Sequence, residues 1–110
     1  MAVRDYLGEF EHIVVLALLR LGEHAYGVTV RQEIELRTRR EVSIGAVYAT
    51  LDRLETKGYV KSYRGDPTPE RGGRSKRFFR VTAKGVTAVN RTQRALRSMG
   101  EGLGLIENYS

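Results

Sequence analysis

Ser43-Ile44-Gly45-Ala46-Val47-Tyr48-Ala49-Thr50-Leu51-Asp52-Arg53-Leu54-Glu55-Thr56-Lys57-Gly58 is the most sharply delimited stretch of the chain. The Ser43 hydroxyl can accept a free backbone N–H at a helix start, and Lys57-Gly58 suits a helix end because glycine enters the left-handed conformation without strain. Between them Ile44, Val47, Leu51 and Leu54 recur at helical spacing and form an inward stripe. At roughly 100° per residue, Gly45, Ala46, Ala49, Asp52, Arg53 and Thr56 point outward, and Tyr48 lies on the flank. The outer face near the N-terminus is therefore small. A helix bare in this way can lie close to another surface, and the DNA major groove admits a helix whose first residues touch base edges.

Upstream, Leu7, Phe10, Ile13, Val14, Ala17, Leu18 and Leu21 line one face of a first helix that ends near Gly22. Val15, Leu16 and Leu19 make its opposite side apolar too, and a helix apolar all round must be covered on both faces. A chain this small is expected to take part of that cover from a second subunit; the competing source is its own fourth helix. Tyr26, Val30 and Ile34 mark a short amphipathic second helix that runs to about Thr38.

Downstream, residues 59–64 and 76–81 read as two strands of a hairpin, the second carrying Phe78, Phe79 and Val81. The prolines and glycines of the loop between them, Asp66 to Ser75, bar regular pairing. Such a long, basic-tipped loop can reach outward. Thr82 caps a fourth helix in which Val86, Val89 and Leu96 form a thin stripe among Arg91, Arg94 and Arg97. That stripe is narrow for a core helix and suits a partner helix.

Three helices, a two-stranded hairpin and a further helix define the expected class. It is α+β, mainly α: a winged helix-turn-helix with an additional C-terminal dimerisation helix. The domain reading places the winged-helix DNA-binding unit at residues 1–82, the dimerisation helix at 83–100 and a flexible tail at 101–110.

The composition agrees with one folded unit: 110 residues, 41% hydrophobic and 29% charged. Of nineteen Lys and Arg, nine fall between Arg71 and Gly100, where no acidic residue occurs, so this segment carries +9; the other ten, set against thirteen Asp and Glu, leave −3 elsewhere. A basic segment on a slightly acidic body points to a polyanion, most often nucleic acid. The competing reading is a basic surface that serves only solubility.

Cysteine is absent, which excludes disulfides, thiolate zinc sites and thiol nucleophiles. The apolar run from Ile13 to Leu19 is too short to span a bilayer, and Asp5, Glu9 and Glu11 stand where a secretion signal would be cationic, so a cytoplasmic protein without a membrane partner is expected. His12 and His24 have no metal-ligand spacing, and no serine sits in a nucleophile elbow. Gly100-Glu101-Gly102-Leu103-Gly104 follows a helix and opens no βαβ unit, so it lacks the geometry of a dinucleotide loop. No enzyme activity, cofactor or metal is expected.

The residues also carry a family resemblance. Leu7-Gly8-Glu9-Phe10-Glu11 followed by Ala25-Tyr26-Gly27, the stretch Ser43 to Gly58, and Arg71-Gly72-Gly73-Arg74-Ser75-Lys76-Arg77-Phe78-Phe79-Arg80-Val81-Thr82 with Gly85 together resemble the PadR-like transcriptional regulators, in the family's order and over about Leu7 to Leu96. The resemblance implies a homodimeric bacterial DNA-binding regulator, usually a repressor, whose C-terminal helix packs on the partner's first helix. The glycine-rich end leaves one modest C-terminal helix, similar to the short-tailed branch of the family.

Arg71, Arg74 and Lys76 are the expected phosphate contacts, because cationic side chains neutralise phosphate whatever the base sequence. A solvated loop that keeps the strand edges soluble would look the same. Arg77 and Arg80 come second, facing either solvent or the helix behind them. The family resemblance associates Tyr48 with DNA; its alternative is a half-buried ring bracing the helix against the hairpin. Ala49 can meet a thymine methyl, and Ser43 a base or phosphate unless it serves only as a cap. Arg53 can reach phosphate, or pair within its helix with Asp52 or Glu55.

The dimerisation set is Val15, Leu16, Leu19, Val89 and Leu96. The function expected is a repressor that binds a palindromic operator in double-stranded DNA as a homodimer, with any small-molecule effector unspecified. The alternative is a winged-helix protein-interaction module.

Overall fold

The structure, a computed structural model, describes residues 6–65 and 76–105. Helices α1 (Glu9–Leu21), α2 (Gly27–Thr38) and α3 (Ile44–Thr56) precede strands β1 (Val60–Arg64) and β2 (Arg77–Val81), and α4 (Ala83–Gly100) follows. This is the winged helix-turn-helix with an added C-terminal helix. A 3-10 turn at Gly22–His24 joins α1 to α2.

Local chemistry sets most helix ends. The Glu11 carboxylate accepts the Gly8 N–H at the start of α1 (2.9 Å), and the Thr29 hydroxyl accepts the Tyr26 N–H at the start of α2 (3.0 Å). Ser43 and Thr82 cap α3 and α4 by accepting from the N–H groups of Ala46 (3.0 Å) and Gly85 (3.1 Å). After α3, Gly58 lies at φ 83°, and the Gly58 and Tyr59 N–H groups donate back to the carbonyls of Glu55 and Leu54. These are the two bonds of a Schellman closure, which needs a left-handed residue at this point.

The strands are antiparallel, with Val60 opposite Val81 and Tyr63 opposite Phe78. A third segment joins them without being legible as a strand. Tyr26 bridges to Phe78, and the Phe79 N–H donates to the Ala25 carbonyl at 2.9 Å, so the turn into α2 completes the edge of the hairpin. The core below is formed by Val14, Val15, Val30, Ile34, Val47, Leu51, Leu54, Val60 and Phe79, all essentially inaccessible to water.

Three expectations need correction. Ile44 does not join the inward stripe of α3; it overhangs the first turn and is exposed, while Thr50 is buried among Val47, Leu51 and Leu54. The fourth helix does pack on its own chain, against α1 and β2. Its buried stripe is Gly85, Ala88, Val89 and Thr92, whose small side chains let the helix approach closely but carry little hydropathic signal. As a result Val86 is exposed. Finally, α1 is packed by α2, α3, β2 and α4 of the same chain, so Val15 is wholly enclosed and Val89 nearly so. Neither can touch a second subunit directly in this arrangement.

Candidate nucleic-acid interface

The outer face of α3 is as bare as its spacing implies. Gly45, Ala46, Ala49, Asp52, Arg53 and Thr56 are all exposed. Ser43 is exposed as well, its hydroxyl oxygen engaged as the cap. Tyr48 is half-buried and packs over Gly27, occupying the space that a Cβ at Gly27 would need. The ring thus braces α3 against the start of α2 rather than against the hairpin. Its hydroxyl makes no hydrogen bond among the described residues.

The hairpin is joined to α3 by carboxylates. Glu55 accepts from the Ser62 hydroxyl (2.7 Å) and N–H (3.1 Å) and pairs with Arg77 (2.8 Å), which also reaches Asp52 (3.2 Å). Arg77 therefore faces the helix behind it rather than solvent alone, and its guanidinium lies 4.8 Å from the Phe79 ring centre. At the hairpin's described end Phe78 stacks on Tyr63 (5.7 Å) and meets Tyr26 edge-on (5.4 Å). Lys76 is exposed, with its ammonium 4.6 Å from the Tyr26 ring centre. That contact positions the charge while leaving it in solvent. Arg71 and Arg74 lie outside the described residues.

Arg53 departs from its expected helix partners. Asp52 and Glu55 are engaged with Arg77, and Arg53 Nε instead contacts Glu11 of α1 at 3.3 Å. Lys57 Nζ contacts the same Glu11 oxygen at 3.0 Å. Glu11, Lys57, Glu55 and Tyr26 were not legible as site residues from spacing, because each acquires its role from a segment distant in sequence. The only hint was charge: Glu11 lies on the apolar-periodic helix one residue after Phe10, where a buried acid needs a partner.

Both carboxyls sit below the ordinary glutamate range. For Glu11, burial pushes the value upward, but the Gly8 N–H together with Lys57 and Arg53 outweighs it. For Glu55 the Ser62 hydroxyl and N–H lower it most, and Arg77 adds to them against burial. A depressed folded value means that the stabilisation is complete above the unfolded pKa, about 4.3, and is lost as pH falls through the folded value. Chemical-denaturation curves collected from pH 6 downward should show stability falling below about pH 4.3, with a shallower fall in Glu55→Gln. Parallel pH profiles for parent and variant would contradict this assignment.

Among the dimerisation candidates, Leu19 and Leu96 are exposed at 47% and 63%, and Leu16 is half-buried. Leu16 lies in a groove of about 430 Å³ between α1 and α4, lined also by Tyr6, His12, Ile13, Ala95 and Leu96. His12 Nε2 pairs with Gln93 across this junction at 3.2 Å, and His24 is exposed. Among the described residues no group of three His, Asp or Glu could hold a metal ion, and no helix is long and apolar enough to cross a membrane.

Comparison with known proteins matches this geometry. The chain is similar over 86% of its length to a PadR-like transcription factor from Bacteroides fragilis, with 19% identity, 85% of that chain covered and a TM-score of 0.71. A PadR family transcription regulator from Clostridium difficile is 22% identical, with 84% of this chain and 92% of that chain covered and a TM-score of 0.64. RosR of H. salinarum is 26% identical, with 92% and 83% covered and a TM-score of 0.67. No curated protein sequence matches significantly. The model of the transcriptional regulator PadR-like family matches residues 15–91, from the middle of α1 through half of α4, and the chain belongs to that family of DNA-binding regulators, which are not enzymes.

Proposed function

We propose that the protein is a repressor that binds a palindromic operator as a homodimer and acts by occluding a promoter. The observation that carries this reading is the bare outer face of α3 beside a cationic hairpin that is braced to the same helix through Glu55 and Arg77. In this reading α3 enters the major groove. Ala49 and Ser43 approach base edges, Tyr48 and Arg53 reach phosphate, and Arg71, Arg74 and Lys76 grip the backbone beside them. A two-fold dimer would set the two α3 helices about 34 to 36 Å apart, one helical turn of DNA.

The dimer contact is assigned to Leu16, Leu19 and Leu96, with Met99 added as the most exposed apolar side chain of α4. Val15 and Val89 support that surface from beneath. The short chain favours association, because a small domain buries a modest share of its surface alone. Residues 1–82 act as the DNA-binding unit and 83–100 as the dimerisation helix, and the protein works in the cytoplasm.

Mobility shift with the DNA directly upstream of the protein's own gene tests the reading, and light scattering on a sizing column tests the dimer. Retardation at low salt by a species of twice the chain mass is expected. No retardation, together with capture of a protein partner, would favour the interaction-module alternative, and a monomer at micromolar concentration would remove the palindrome.

A further inference from the structure

We propose that Glu11 is a positioning residue for DNA binding: it holds the Arg53 guanidinium by Nε so that the remaining terminal nitrogen faces a phosphate. The inference rests on the DNA-binding reading above and adds a residue that lies on a different helix from the one that reads the groove.

Glu11 is a nearly buried carboxylate, its side chain 10% exposed, and burying a charge is costly unless it is fully partnered. Its two oxygens do different work. Oε1 accepts the Gly8 N–H and closes the first turn of α1. That duty alone requires no charge, since a neutral side-chain oxygen serves as well. Oε2 spans to the end of α3 and is shared by Arg53 Nε and Lys57 Nζ. One negative charge thus meets two positive ones, and the cluster keeps a net charge of +1 at the flank of the helix.

The arrangement of Arg53 shows where that charge is offered. Nε is taken by Glu11, and Nη2 rests 3.4 Å from the Thr50 hydroxyl. Nη1 has no partner among the described residues, and the side chain is 52% exposed. A planar guanidinium fixed along one edge presents its other edge in a set direction, which a flexible ammonium does not. Held in this way, Arg53 loses less rotational freedom when it meets a phosphate, and preorganisation of this kind raises affinity.

Coulomb's law alone predicts the opposite for the informative variant. Removing the negative charge of Glu11 near a polyanion should tighten binding, whereas loss of positioning should weaken it. Glu11→Gln keeps an oxygen for the Gly8 N–H and places an amide that donates rather than accepts against Arg53. Anisotropy titrations at one fixed salt would use the full chain and a labelled duplex from directly upstream of its gene, at a temperature where melting curves show every variant folded. The expected result is about tenfold weaker binding for Glu11→Gln, the size of one charge-assisted hydrogen bond, and no further loss when Glu11→Gln is added to Arg53→Ala. Tighter binding by Glu11→Gln, or the same penalty in both backgrounds, overturns the proposal.

Arg53→Lys provides an independent test on an exposed position, where the fold is not at stake. It keeps the charge but loses the fork, so it should bind within about twofold of Arg53→Ala. Wild-type affinity in Arg53→Lys overturns the proposal even if Glu11→Gln does not fold. Failure of the unaltered chain to bind the duplex at low salt would instead sink the DNA-binding reading, and this inference with it.

Discussion

Alanine at Arg71, Arg74 and Lys76 together is expected to lower the slope of log affinity against log salt by about three, because each lost phosphate contact removes about one. Affinity at low salt should fall about a hundredfold, taking roughly 1 kcal/mol per lost contact. The base of the hairpin explains why charges there would be effective. Phe78 stacks on Tyr63 and meets Tyr26 edge-on across it, Glu55 ties it to α3 through Ser62 and Arg77, and Lys76 rests on the Tyr26 ring. Lys76, resting on that base, is carried in fixed relation to α3. The control is Arg94→Ala with Arg97→Ala, which removes exposed positive charge from α4. If general electrostatic attraction explained binding, the control would lower the slope by about two; under the wing assignment it leaves the slope near that of the parent. An unchanged slope in the triple variant would end the assignment of the hairpin to DNA.

Gly85→Ala is expected to destabilise the fold by about 3 kcal/mol, the scale of a steric insertion into a packed interior. Helix propensity alone would give the opposite sign, since alanine is favoured over glycine inside a helix by about 1 kcal/mol. The reason is contact rather than conformation. A Cβ at Gly85 would collide with the Tyr59 backbone carbonyl and press on Val81. That carbonyl also accepts the Thr82 N–H at 3.0 Å, so it cannot swing aside without loosening the turn into α4. Gly100, in the last turn of the same helix, is the internal control: its added Cβ would meet only Leu105 Cδ1 at 3.9 Å. Thermal melts should therefore show Gly85→Ala lowered by roughly 10 °C or more, on the usual scaling for a domain of this size, and Gly100→Ala unchanged or raised. A melting point for Gly85→Ala at or above the parent's would show that α4 does not sit this close to the Tyr59 backbone and β2.

The elements of this protein were legible because their signals are local. Ser43 and Thr82 announce caps, Gly58 announces a left-handed ending, and the period of Val47, Leu51 and Leu54 can be counted without knowing what lies beneath it. The outer face of α3 follows from the same period, so its bareness was determined by the residues themselves, and so was the concentration of positive charge after Arg71. The family signature reads in chain order for the same reason.

Tertiary structure alone decided the rest, wherever two distant segments had to meet. The buried stripe of α4 is made of Gly85, Ala88 and Thr92, residues that a hydropathy pattern ignores, with Val89 among them, and it becomes a core face only because α1 and β2 of the same chain, and the Tyr59 backbone, receive a close approach. Val15 was apolar on the wrong side of α1 for one layer of packing, and the same chain's β2 and α4 supply the second. Arg53 has two acids within its own helix, yet Arg77 takes both, and it turns to Glu11, forty-two residues away in sequence. Periodicity reports which face of a helix is dry; which charge answers which is set by distances that exist only after the chain has folded.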